Sequence, residues 1–232
     1  MLMIVVVGII LAILAVSVMA YVAPMRSMHP LASGKIAGTD VTAIKNRINN
    51  LFFLPSGDGW IVIDAGSDAE MGKREMDRLS IDGRKVKGVF LTHTDYDHVA
   101  CVVLFPNAVI YMNQQEKQMI DGSTFRQFVR KNRLPKLRDT NEIVWMADQE
   151  SVNFGERRVT MLSVPGHTTG SAMYAVDGKY LFTGDAFCLK DDHILVHPYT
   201  MDKLEAQKSI RKIKGELQKY EKVFTAHYGL ME

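Results

Sequence analysis

The stretch Leu91-Thr92-His93-Thr94-Asp95-Tyr96-Asp97-His98 decides how this chain is read. It carries four side chains of strong metal-ligand type in close succession: His93, Asp95, Asp97 and His98. Imidazole and carboxylate hold zinc, iron or manganese while leaving coordination positions for water. Just upstream, Lys87-Gly88-Val89-Phe90-Leu91 has no helical period and reads as a buried strand. At a strand end, alternate side chains project toward one point, and a tight turn brings the last two back onto it. The plain alternative is a polar loop rich in Asp and His. With 7 histidines in 232 residues, the ordered pattern His-x-Asp-x-Asp-His arises by chance in on the order of one such chain in a thousand. The metal-binding reading therefore leads.

Working outward, the same arrangement recurs. Val41 to Ile48 and Leu51-Phe52-Phe53-Leu54 read as strands. The turn Pro55-Ser56-Gly57-Asp58-Gly59 and the strand Trp60-Ile61-Val62-Ile63 complete a hairpin that ends in Asp64-Ala65-Gly66. Ala69 to Leu79 has apolar residues at helical spacing, and Val99 to Phe105 before Val109-Ile110-Tyr111-Met112 repeats a helix-then-strand alternation. In the second half, strands are expected at Ile143 to Met146, Arg158 to Val164, Ala172 to Val176 and Tyr180 to Phe182. A helix over Met201 to Tyr220 should turn Leu204, Ile210, Ile213 and Leu217 inward. His167 follows the strand ending at Val164, Asp185 follows Phe182, and His227 follows Val223-Phe224-Thr225. Each candidate has Gly within two positions. Any one would be unremarkable alone; their recurrence at strand ends is the signal.

Leu2 to Ala23 is uncharged and almost wholly aliphatic. As a helix it would span roughly 33 Å, enough for a hydrocarbon core of about 30 Å. A cleaved signal peptide would need a basic start and a shorter apolar run. The reading is an uncleaved single-pass membrane anchor over 1–23, a linker over 24–40 and a catalytic domain over 41–232. Arg26, Lys35, Lys45 and Arg47 flank only the C-terminal side of the run, which predicts a cytoplasmic domain. Cleavage would instead make the domain secreted or extracellular. With 28 Lys and Arg against 26 Asp and Glu, there is no basic surplus, and no nucleic-acid partner is expected. Cys101 and Cys188 make no disulfide framework and read as core fillers. Lys117 to Arg138 is basic, with Phe125, Phe128 and Val129 as an apolar stripe. It reads as an amphipathic helix covering the sheet, with lipid contact or an anionic-substrate lid as alternatives.

The ordered set His93-x-Asp95-x-Asp97-His98, Gly166-His167, Gly184-Asp185 and Ala226-His227, with Asp64-Ala65-Gly66 upstream, resembles the metallo-β-lactamase-fold hydrolase superfamily. The resemblance runs from about Val41 to His227. It implies an α/β fold, a four-layer αββα sandwich with metals at one edge between two sheets. Carried over by position, one metal ion would be bound by His93, Asp95 and His167. A second would be bound by Asp97, His98 and His227, with Asp185 bridging. Asp64 would accept a hydrogen bond from a ligating histidine, and Asp97 would be catalytic, orienting the nucleophile. The family's usual histidine at the middle of the motif is Asp95 here. An oxygen ligand is harder than imidazole and moves preference toward iron or manganese; zinc remains the first expectation.

Two divalent ions about 3.5–4 Å apart share a water and lower its pKa toward about 7. The implied activity is hydrolysis of an ester, thioester, lactone, amide or phosphodiester bond in a small-molecule substrate. The chain shows no counterpart of the long C-terminal helical extension of glyoxalase-II-like thioesterases, and a cytoplasmic domain suits antibiotic resistance poorly. A di-iron redox protein and a non-catalytic metal-binding module of the same fold are the alternatives. His193 and His197 read as surface histidines, with substrate contact as a second role for His193. Tyr96 either lines the pocket or packs.

Overall fold

The computed structural model describes residues 2–126, 132, 141–191 and 193–231. Helix α1 (Leu2–Val22) is followed by β1 (Gly34–Lys35), β2 (Thr42–Asn46), β3 (Asn49–Ser56) and β4 (Gly59–Ile63), which pair antiparallel in succession. After α2 (Ala69–Arg78), strands β5 (Val86–Phe90), β6 (Val109–Asn113) and β7 (Ile143–Met146) extend the sheet in parallel from β4. The short helices α3 (Tyr96–Val99) and α4 (Lys117–Asp121) leave the ends of β5 and β6. A second sheet begins with β8 (Ser151–Phe154), β9 (Arg157–Ser163), β10 (Ala172–Val176) and β11 (Tyr180–Phe182), all antiparallel. The hairpin of β12 (Cys188–Lys190) and β13 (His193–Leu195) stands apart. Beyond α5 (Lys203–Lys214), β14 (Lys222–Phe224) pairs parallel to β11, and β15 (Leu230–Met231) closes that sheet.

The near-continuous apolar strands follow from burial on both faces. In β3 and β4, Phe52, Leu54, Ile61 and Ile63 point into the core between the sheets. Their neighbours Leu51, Phe53 and Val62 point the other way, onto Met76 of α2 and the turn of 3-10 helix over Ala100–Leu104. The second sheet repeats this. Met161, Tyr174 and Phe182 face inward, whereas Met173, Leu181 and Val223 lie beneath Ile213 of α5 and Leu217. Period-two alternation thus yields helix, sheet, sheet, helix. The expected αββα sandwich is what forms.

Some elements depart from the sequence expectation. Val99–Phe105 makes no full helix: α3 has four residues and passes into the 3-10 turn. Helix α5 stops at Gly215, a weak helix former, and a separate 3-10 turn covers Leu217–Lys219. Leu204 is 72% exposed; the inner face of α5 is carried by Ala206, Ser209 and Ile213. In the basic stretch, α4 ends at Gly122 and Phe125 is exposed. Phe128, Val129 and the cations Arg130, Lys131, Arg133, Lys136 and Arg138 lie outside the described residues.

Helix α1 is long and apolar enough to cross a membrane, a test that signal sequences also pass, and its side chains from Val6 to Val22 are exposed. The segment after it is laid onto the domain. The His29 N–H donates to His227 O, and the side-chain amide of Asn50 bonds both the N–H and the carbonyl of Leu31 at 2.8 and 2.9 Å.

The inter-sheet core makes a specific demand. Phe224 is fully buried and stacks on Phe182 at 4.8 Å. Phe224→Ala should destabilise the domain by about 3–5 kcal/mol, while Leu204→Ser should stay within about 0.5 kcal/mol. Urea denaturation of both variants checks the layer assignment.

Candidate metal centre

Strands β4 and β5 pair in parallel, as do β11 and β14, so their C-terminal ends open on one edge of the sandwich. Asp64 follows β4, the His93–His98 motif follows β5, Asp185 follows β11, and His227 follows β14. His167 arrives on the loop between β9 and β10. Seven side chains named from sequence as ligands therefore meet in one place, in two groups.

In the group formed by Asp97, His98 and His227, His98 Nε2 lies 3.5 Å from Asp185 Oδ1 and 3.8 Å from Asp97 Oδ2. His227 Nε2 lies 3.1 Å from Asp185 Oδ1 and 3.5 Å from Asp97 Oδ2. In the group formed by His93, Asp95 and His167, the separations from Asp95 Oδ2 are 3.5 Å to His93 Nε2 and 3.2 Å to His167 Nε2. His167 Nε2 also stands 3.4 Å from Asp185 Oδ2. Asp185 thus turns one oxygen toward each group. Ligands about 2.0–2.1 Å from a tetrahedral ion stand about 3.4 Å from one another, the spacing seen here.

The donor chemistry fits an ion as well as the spacing does. His93 Nε2, His98 Nε2, His227 Nε2 and Asp185 Oδ1 are buried and have no hydrogen-bond partner among the described residues. Leaving such groups unpaired is costly in a protein interior. Their other ring nitrogens are engaged. His98 Nδ1 lies 2.8 Å from Asp64 Oδ2, and His227 Nδ1 lies 2.7 Å from the carbonyl of Ile48. Those acceptors fix the proton on Nδ1 and leave the Nε2 lone pair facing the group.

Two buried carboxylates hold the loops. Asp64 accepts from Thr92 N–H at 2.8 Å and from Thr92 Oγ1 at 2.9 Å, besides His98. Glu116, fully buried, accepts from Thr94 N–H, Thr94 Oγ1 and Thr168 Oγ1, each at 2.7 Å, and from Gly170 N–H at 3.1 Å. It clamps the motif loop to the His167 loop. Gly184 adopts φ +51°, and a Cβ there would stand 2.4 Å from Thr92 Oγ1. Only glycine lets the chain bring Asp185 this close to the motif.

The charges are strongly coupled. Burial alone would raise the Asp185 carboxyl, but His227, His197, His98 and His167 around it hold it well below the usual range. Asp95 is likewise held low against its burial by His167 and His93. Burial opposes charge on His227, yet Asp185 outweighs it and raises its pKa. Burial, with His93 and His197 nearby, keeps His167 neutral and brings its pKa to about 3.

The model of the metallo-beta-lactamase superfamily matches residues 45–227. The chain belongs to that superfamily. A probable polyketide biosynthesis zinc-dependent hydrolase of Bacillus subtilis is 29% identical over 146 residues, 62% of this chain and 57% of that protein. A hydroxyacylglutathione hydrolase of Synechococcus is 28% identical over 125 residues, 52% of this chain and 40% of its own length. The chain therefore spans about half the length of these curated relatives. Among solved structures, a B3 metallo-beta-lactamase with an active-site glutamic acid superposes with TM-score 0.66 at 17% identity, covering 89% of this chain and 83% of that one. A metallo-beta-lactamase superfamily protein of Sulfolobus tokodaii gives 0.57 at 20% identity, covering 86% and 82%. At such identities the superpositions show the fold.

The other residues singled out in the sequence sit around this site, and one of them was misread. His193 is exposed on β13, and its Nδ1 lies 2.6 Å from the carbonyl of Asp191. Tyr96 is 71% exposed. His197, read as a surface histidine, is 1% exposed, with Nε2 3.6 Å from Asp185 Oδ2 and its ring 4.8 Å from that of His167. Burial brings its pKa to about 4. Its signal was available: His197 ends the apolar run Ile194-Leu195-Val196, as the other candidates end theirs. Cys101 and Cys188 are buried and unpaired, and burial pushes the Cys101 thiol up to about 12.

Burial also opposes charge on His98, but Asp64, Asp185 and Asp97 outweigh it and push its pKa up to about 10. A raised folded-state value adds stability that is complete below the ordinary 6.5 and lost as pH climbs through about 10. Chelator-treated protein should lose thermal stability across that window, and His98→Asn should flatten the decline. An unchanged slope in the variant would place the titrating group elsewhere.

Proposed function

We propose that this chain is a metal-dependent hydrolase that works with two divalent ions, zinc first and iron or manganese next. One is assigned to His93, Asp95 and His167, the other to Asp97, His98 and His227, with Asp185 between them. The observation that carries this reading is the set of buried, unpartnered Nε2 and Oδ1 atoms at tetrahedral-edge spacing. The relatives named as a zinc-dependent hydrolase and a hydroxyacylglutathione hydrolase support it.

When bound, such ions supply a water ionised near neutral pH and polarise a carbonyl or phosphoryl oxygen. The side chains divide the remaining work. Asp64 holds the His98 ring through Nδ1 and so aims Nε2. Asp97, with its side chain 29% exposed, is the most open carboxylate of the cluster, and we assign it orientation of the attacking water. Asp185 balances charge across both groups. The substrate is a small molecule with an ester, thioester, lactone, amide or phosphodiester bond. We assign α1 as a single-pass membrane anchor, with Arg26 and Lys35 keeping the domain on the cytoplasmic side.

Metal analysis of the purified full chain, with turnover on ester, thioester, lactone and phosphodiester substrates, tests the proposal. We expect bound metal and metal-dependent hydrolysis in one class, with Asp185→Asn lowering kcat/KM by at least a hundredfold while the circular dichroism spectrum is kept. A fully active Asp185→Asn would defeat the scheme. Bound iron with oxygen consumption in place of hydrolysis would mark a redox protein.

A further inference from the structure

The two groups of the centre are not equivalent, and Arg126 makes the difference. Its Nη2 donates to Asp95 Oδ2 at 2.5 Å and lies 2.8 Å from His167 Nε2. Its Nε donates to Asp95 Oδ1 at 3.0 Å. Nη2 also reaches the His167 carbonyl at 3.1 Å, and Nη1 donates to the carbonyl of Tyr199. Asn132 Nδ2 donates to Asp95 Oδ1 at 2.9 Å as well. Both oxygens of Asp95 are thus already taken, and so is His167 Nε2, which lies 2.8 Å from Arg126 Nη2 and 3.2 Å from Asp95 Oδ2. A neutral imidazole nitrogen has one lone pair, which accepts a hydrogen or binds a metal but not both. The planar fork of a guanidinium suits this bidentate grip on a carboxylate. In the other group, by contrast, His98 Nε2, His227 Nε2 and Asp185 Oδ1 all lack a hydrogen-bond partner among the described residues, whereas in the group held by Arg126 this is true of His93 Nε2 but not of Asp95 or of His167 Nε2.

We propose that Arg126 is a resident cation of the His93–Asp95–His167 group. It stands where a metal ion would bind and must leave before that group is filled. The centre then loads in a fixed order, with the Asp97–His98–His227 group first and the other group only on displacement of Arg126. Asp95 suits this role better than the superfamily's usual histidine would, because a carboxylate accepts both arms of the guanidinium whereas an imidazole accepts one. The inference rests on the proposal that these residues bind metal.

The test is calorimetric titration of the chelator-stripped full chain in detergent with zinc. Stoichiometry is checked by chelator competition, and the absorption spectrum is followed with cobalt(II). The wild type should take its first equivalent at least tenfold more tightly than its second. Arg126→Gln should tighten the second equivalent at least tenfold and leave the first unchanged. Arg126→Met, which keeps the length of the side chain without its donors, should do the same and guards against a folding defect in the glutamine variant. Two equivalents of equal affinity in the wild type, or an unchanged second equivalent in both variants, would overturn the Arg126 assignment and leave the hydrolase reading intact. A wild type that takes up no zinc or cobalt would overturn both.

Discussion

The architecture of this protein turns on one carboxylate. Asp185 is 5% exposed, carries a negative charge, and directs one oxygen to each of two clusters of imidazoles and acids. An anion so placed is expensive unless positive charge or hydrogen-bond donors compensate it. Of its neighbours, His98 and His227 are drawn toward protonation in the metal-free protein, while burial holds His167 and His197 neutral. Half of the surrounding rings therefore resist supplying charge, a deficit that the proposed metal ions would fill. The same imbalance explains why a guanidinium settles against Asp95.

The sandwich exists to bring these groups to one edge. Parallel pairing of β4 with β5 and of β11 with β14 sends four strand ends the same way, the arrangement by which open α/β sheets place ligand sites. The ends are then stiffened by amides and acids rather than by apolar packing. Asn46 bonds the N–H groups of Ser67 and Asp68, Asn49 reaches the Asp97 carbonyl, and Glu116 ties two loops together. Buried, hydrogen-bonded groups of this kind fix the geometry of the site more sharply than a greasy contact would.

The candidate ligand positions are legible because they lie at the ends of apolar strands with glycine nearby, where local pattern and chemistry coincide. What escaped were residues whose role is purely tertiary. Glu116 lies in the polar run Asn113-Gln114-Gln115-Glu116-Lys117 and reads as a surface acid; only folding shows it fully buried. Arg126 was one cation in a basic stretch, and nothing local distinguishes it from its neighbours. His197 was masked by the acidic turn before it. The error on α5 has a steric cause. The loop carrying His167 passes so close that a Cβ on Gly166 would stand 2.4 Å from Ala206 N. That contact demands small residues, so Ala206 and Ser209 take the buried face and Leu204 is turned to solvent. Hydropathy spacing weights large apolar side chains and misreads such a face.

The apolar helix and the centre are also linked through Tyr199. Its hydroxyl donates to the carbonyl of Tyr21 at 2.5 Å, the two rings lie 5.1 Å apart, and its own carbonyl accepts from Arg126. Three contacts thus connect the end of α1 to Asp95. On the other side, the segment after α1 bonds the carbonyl of His227 through His29. Tyr199 is therefore the residue through which a shift of Tyr21 reaches Arg126, and through Arg126 the His93–Asp95–His167 group.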